Sequence, residues 1–244
     1  TFDFSTDMPT SRQGKTYVSV WVSPNRKGVW LGFHRAKSEE ELLTLLKAKW
    51  RLWKNESGEP FTSLRSDRDS ALQGNKVAAW LSENGVSRSQ TTGVSGGPAE
   101  GRIKVLTEKA LANLVESGLP KKLWQESMVN AQQNLDIVPD KRGVSDYERR
   151  TKKKPPYNKY HPFGQRVIYH VPDTQRGKFQ NKGRWGRVMH RLEDGDGWKV
   201  YNEQKNTMIH PNALKPVVEH EQMSCFMNID GEKVEIRIDQ SEGV

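Results

Sequence analysis

KTYVSVWVSPNRKGVWLGFHRAKSEEELLTLLKAKWRLWK, residues 15–54, changes its hydrophobic period once, and that change decides the fold class. KTYVSVWV (15–22) alternates, with Val18, Val20 and Val22 on one face. GVWLGFH (28–34) is a second β-like run, and the turn-forming SPNRKG between them makes the pair a hairpin. SEEELLTLLKAKWRLWK then opens with a capping box, Ser38 and Glu41. Leu42, Leu45, Leu46, Trp50 and Trp53 fall on one helical face. Upstream, TFDFS reads as a short first strand. Downstream, EPFTSLRSDRDSAL (59–72) reads as a strand that stops on Asp67 and Asp69.

Further along, NKVAAWLSENG (75–85) predicts a short helix closed by Gly85. In residues 91–120 a Gly-rich loop leads into a helix opened by Pro98 and closed by Gly118, with Ile103, Leu106, Ala110 and Leu114 as its core stripe. KKLWQESMVNAQQNLDIVP predicts another helix, with Leu123, Trp124, Met128, Ala131 and Leu135 apolar. To residue 138 the expected order is strand, strand, strand, helix, strand, helix, helix, helix: a mixed α/β layer with antiparallel strands first. Residues 139–160 read as a basic, Pro-containing linker. Residues 161–218 hold short β-like runs with Gly, Asp and Asn turns, the pattern of a small all-β barrel or sheet. The tail, 219–244, contains one possible hairpin, SCFMNID and KVEIRID.

No run of eighteen apolar residues exists, so no transmembrane helix is expected. One cysteine, Cys225, excludes a disulfide within the chain. The six histidines are scattered with no Cys pair near them, so no zinc site is expected, and His161, His170, His190, His210 and His220 are read as non-ligands. A first residue of Thr suggests a fragment or a processed piece of a longer chain. The net charge is +9, and it is uneven. Residues 141–218 carry 18 Lys and Arg against 7 Asp and Glu, whereas the rest of the chain is slightly acidic. Such a segment suits a polyanion, most simply nucleic acid, or else a solvated surface. Lys152, Lys153 and Lys154 are candidates for phosphate contacts, as are Arg184 and Arg187 beside Trp185. Trp185 itself is read as core.

Three acids stand out by position. Asp67 follows a strand, where turn chemistry also explains an acid. Glu100 lies in the first turn of a helix, where it offsets the helix dipole. Asp3 lies between phenylalanines in a strand, and burying an unpaired carboxylate there is costly unless a cation or a metal accompanies it.

These acids and the runs around them resemble the integrases of copia-type retrotransposons. LRSDRDSA (64–71), GGPAEGRIKVL (96–106) and SGLPKKLWQES (117–127) are similar, in order, to that family's LRSDNGGE, NGVAERKNRTL and AGLPKRFWAEA. HPFGQRVIYHVP (161–172) resembles the segment after the family's core, and GWKVYNEQKNTMIHPNALKPVV its closing β segment. The resemblance implies a ribonuclease-H-like core over 1–138 and an SH3-like barrel over 161–218. It implies Asp3, Asp67 and Glu100 as catalytic residues and as ligands of a two-metal Mg²⁺ or Mn²⁺ site, Asp3 bridging. It implies Arg102 and Lys104, on the helix of Glu100, as contacts to DNA. The expected partners are double-stranded DNA, as element ends and target, and further copies of the chain. The expected place of action is the nucleus, after assembly in cytoplasmic particles.

The departures are specific. Arg68 and Asp69 stand where Asn-Gly follows the family's second acid, and the Asn-Gly before its Glu helix has become SGGP. Metal-dependent 3′-end processing and strand transfer is the leading expectation. An integrase-fold DNA-binding module without chemistry is the rival. A ribonuclease H shares the fold and the metals but not the GLPKKLW run or the basic β segment.

Overall fold

Phe2–Phe4 (β1), Tyr17–Val22 (β2) and Val29–His34 (β3) form the antiparallel half of a five-stranded sheet in the computed structural model. The structure describes all residues except 6–7, 24–27, 58–59, 67–73, 91–96, 173, 175–176, 180, 193–195, 218–223, 230–231 and 238–244. Ser63–Ser66 (β4) joins β1 in parallel, and Ser87–Gln90 (β5) joins β4 in parallel, giving the order β3-β2-β1-β4-β5. This is the mixed sheet of the ribonuclease-H-like fold. β5, with the sequence SRSQ, has no apolar residue and no period, so its hydrogen-bonded partner alone makes it a strand.

Helices cover both faces. On one side lie Glu39–Ser57 (α1) and Asn75–Glu83 (α2), whose Leu42, Leu46, Val77 and Leu81 pack with Phe2, Phe4, Trp21 and Leu64. On the other lie Pro98–Ser117 (α3) and Trp124–Ile137 (α4), whose Leu106, Ala110, Leu114, Trp124 and Met128 pack with Val18 and Val20. Both faces of β2 are therefore covered: Ser19 and Trp21 are as enclosed as the valines. Ser38 Oγ accepts the Glu41 N–H and starts α1. Gly118 ends α3 at φ +65, a left-handed conformation that a side chain resists, and its N–H bonds Val115 O.

Gly32 in β3 lies where a Cβ would sit 2.0 Å from Leu45 and 2.5 Å from Ser19 Oγ. That close approach leaves room for a buried polar chain: Ser19 Oγ lies 2.8 Å from His34 Nε2, and His34 Nδ1 lies 3.7 Å from Glu41. Burial pulls the His34 pKa down to about 4, against a smaller upward pull from Glu41.

The linker contains a further helix, Asp146–Thr151 (α5). Ser145 Oγ caps it by accepting the Glu148 N–H, a box legible in SDYE. A second, antiparallel sheet follows, ordered β10-β6-β7-β8-β9, from Arg166–His170 (β6), Gly183–Arg191 (β7), Trp198–Asn202 (β8), Thr207–Ile209 (β9) and Leu214–Pro216 (β10). Ser224–Ile229 (β11) and Glu232–Arg237 (β12) pair only with each other among the described residues.

The second sheet is fixed to α4. Met189, Tyr201 and Phe163 belong to the same apolar cluster as α3 and α4. Asn130 Nδ2 donates to Met189 O at 3.0 Å, and Gln133 exchanges two hydrogen bonds with the Arg191 backbone. Glu126 of α4, 1% exposed, accepts from Lys199 of β8 and from Gln13 of the β1–β2 connection, both at 3.1 Å.

Candidate nucleic-acid site

Asp3 stands opposite Val20 in the β1–β2 register, so it shares the face on which α3 packs, while Phe2 and Phe4 point to α1 and α2. Its Oδ1 accepts the Phe4 N–H at 2.8 Å. β1 and β4 run in parallel with Phe2 opposite Ser66. The residues next in the chain are Asp3 and Asp67. Asp67 itself lies outside the described residues, as does the Gly-rich loop up to residue 96. Glu100 is exposed in the first turn of α3, a helix that packs on β1 and β2, next to the buried Ala99. Lys104, one turn later, is exposed on the same helix.

Arg102 differs from Lys104. It is half-buried and lines a crevice with Asp146 and Asp136, under α5. Burial raises the pKa of Asp146, and hydrogen bonding to Arg149 and the charge of Arg102 pull it back. Arg149 also pairs with Asp140, whose carboxyl is held down at about 2, first by the Arg142 N–H and then by Arg149. Arg150 grips Asp136 through two hydrogen bonds of 2.9 and 2.6 Å. The linker's basic residues thus divide. Arg149 and Arg150 bind the chain's own acids, whereas Lys152, Lys153 and Lys154 are exposed. Sequence reasoning missed this latch. The SDYE box was its only local signal.

In the second sheet, Arg184 and Arg187 project to opposite faces. Arg184 stands opposite the buried Tyr169 and Arg187 opposite Arg166. Arg187 pairs with Glu203 at 3.0 Å and donates to Gly164 O. The reading of Trp185 as core is corrected. It is 56% exposed and stands opposite Ile168, itself 37% exposed, because the core of this sheet takes the alternate positions Val167, Tyr169 and Val188.

Among the described residues, no helix is long and apolar enough to cross a membrane. No group of three His, Cys, Asp or Glu that could hold a metal occurs among them either.

No protein-family model matches the chain. Over 177 residues it is 24% identical to the retrovirus-related Pol polyprotein from transposon TNT 1-94 of Nicotiana tabacum, a match covering 70% of this chain and 13% of the relative's length. The structure aligns with the HTLV-2 integrase catalytic core domain, solved in complex with magnesium in a trimeric form, at TM-score 0.46 and 14% identity over 61% of this chain and 94% of that one. The dimeric form of the same domain aligns at TM-score 0.47 and 14% identity, over 60% and 90%.

Proposed function

We propose that the chain carries a core of the retroviral integrase type and serves metal-dependent processing of DNA 3′ ends and their transfer into target DNA. The observation that carries this reading is the parallel register of β1 and β4, with Phe2 opposite Ser66. Asp3 and Asp67 are the next residues of those two segments, and α3, with Glu100 in its first turn, packs on the face of β1 that Asp3 shares.

Asp3, Asp67 and Glu100 would hold the metal. Carboxylate oxygens are hard donors, and that donor set fits Mg²⁺ or Mn²⁺. A bound pair of such ions would activate the attacking oxygen and steady the leaving one in an in-line phosphoryl displacement. The chain's own residues do the rest. β1 carries Asp3, Asp67 follows β4 in the sequence, α3 carries Glu100, and Lys104, one turn from Glu100, offers a cation to the DNA backbone. Exposed Lys152, Lys153 and Lys154 add phosphate contacts without sequence preference. The proposal includes double-stranded DNA as substrate, self-association of the chain and action in the nucleus.

A second reading, a DNA-binding module without chemistry, draws on two observations. The Asp67 flank reads SDRDSA, and Arg102, close behind Glu100, faces Asp146 rather than open solvent. The test is joining of a short DNA duplex to plasmid in Mn²⁺ at low salt, with Asp67→Asn alongside. Joining that disappears in the variant is the expected result. Salt-sensitive duplex binding with no joining, equal in both proteins, would instead establish the module.

A further inference from the structure

α5 is held differently from the four helices before it. Each of those buries apolar side chains, whereas none of the six residues of α5 is buried. Tyr147, its one ring, belongs to none of the apolar clusters among the described residues. A helix this short does not persist on its own backbone bonds. It ends on Lys152 at φ +60, a left-handed conformation that a side chain resists. Charge supplies what packing does not. Arg150 grips Asp136 of α4, Arg149 bridges Asp146 and Asp140, and the charge of Arg102 on α3 acts on Asp146. Both flanks are anchored, with Ser145 buried before the helix and Pro155 buried after it.

The space beneath is open rather than packed. Asp146 and Arg149 of α5 border a hollow of about 420 Å³ together with Arg102, Pro98 and Ser23. Pro98 opens α3 two positions before Glu100, so the hollow reaches the end of the helix that carries that acid. Arg102 is half-buried there, while Lys104 on the same helix is exposed.

We propose that α5 is a charge-held strap: closed, it keeps Arg102 matched to Asp146 beside the hollow; open, it releases Arg102 to a backbone phosphate at the Glu100 end of α3. The strap stands without DNA; that the phosphate belongs to duplex DNA rests on the function proposed above. Lys152, Lys153 and Lys154 follow α5 directly and are exposed. A polyanion drawn to them competes with Asp136 and Asp140 for Arg150 and Arg149. Once those pairs part, α5 has no buried side chain to hold it down.

Hydrogen exchange of the whole chain tests the strap without DNA. Arg149→Gln removes the bridge to Asp140 and Asp146, and the amides of residues 146–151 should then exchange about tenfold faster. Those of α4 should not change, nor should the melting temperature, because α5 buries no side chain of its own. Arg149→Lys, which keeps the charge, should restore part of the protection. Unchanged exchange in α5, or an equal rise in α4, would overturn the strap. Anisotropy of a labelled duplex at one fixed low salt concentration tests the release. Asp146→Asn should tighten binding about threefold, and the same change made beside Arg102→Gln should have no effect. A gain that persists without Arg102 would be the bulk effect of one acid fewer, and would overturn the release of Arg102 while the DNA reading stands. No duplex binding by any of these proteins, with α5 exchange as expected, would overturn the DNA reading and the release with it, and leave the strap.

Discussion

The two sheets solve burial differently. The mixed sheet is covered on both faces, by α1 and α2 on one side and by α3 and α4 on the other. The antiparallel sheet lends Met189 and Tyr201 to the cluster on α4, keeps Val167, Tyr169 and Val188 for a small core of its own, and leaves Ile168 and Trp185 in the open. A doubly covered sheet can hold acids in a fixed register at its strand ends. The second sheet is covered only in part on the face that meets α4, so Ile168 and Trp185 stay open on the side where Tyr201 is buried.

Breaking the joint between the sheets should have the largest effect. Lys199→Ala would leave Glu126, 1% exposed, without its cation. Loss of one partner of a buried pair costs about 4 kcal/mol, and urea unfolding should show it. A loss under about 1 kcal/mol would mean that water reaches Glu126. Next comes the shared core. Leu106→Ala should cost about 3 kcal/mol, and because its cluster includes Met189 and Tyr201, both sheets should lose stability in one transition.

Acid should then act on both sheets through their histidines. The His34 pKa is about 4 in the fold, against an ordinary value of 6.5. The unfolded chain therefore binds the extra proton between those values. Stability contributed by neutral His34 is intact above pH 6.5 and falls as the pH drops toward 4, by up to about 3 kcal/mol. Glu41, Lys15 and Ser19 face the ring from the elements around it. Burial pulls His190 of the second sheet down to about 4 as well. His34→Gln and His190→Gln should each remove part of the acid slope, measured as melting temperature against pH. If His34→Gln leaves the slope unchanged, His34 is not held neutral. The smallest effect belongs to the open face. Ile168→Ala should change stability by less than about 0.5 kcal/mol, and a larger loss would mean that this face is covered.

Much of the first sheet was legible locally. The alternation of 15–22, the capping box at Ser38 and Glu41, and the Pro98 and Gly118 boundaries of α3 all appear as elements in the structure. Each depends on neighbours within a few residues. β5 was not legible, because SRSQ is a strand only beside β4. Nor was the fate of Arg102, which turns on an acid forty-four positions away. Arg184 and Arg187, close in sequence, separate to opposite faces because β7 is pleated, and Trp185 comes out exposed for the same reason.

By itself, the sequence determined the period of each segment, the caps, the turns, the basic excess of residues 141–218 and the order of the acids. Tertiary structure decided which strands pair, which face each side chain takes and which cations are matched to acids. The reason is range. Period and capping follow from the backbone geometry of adjacent residues, whereas pairing, burial and charge matching depend on groups that meet only after the chain has closed on itself.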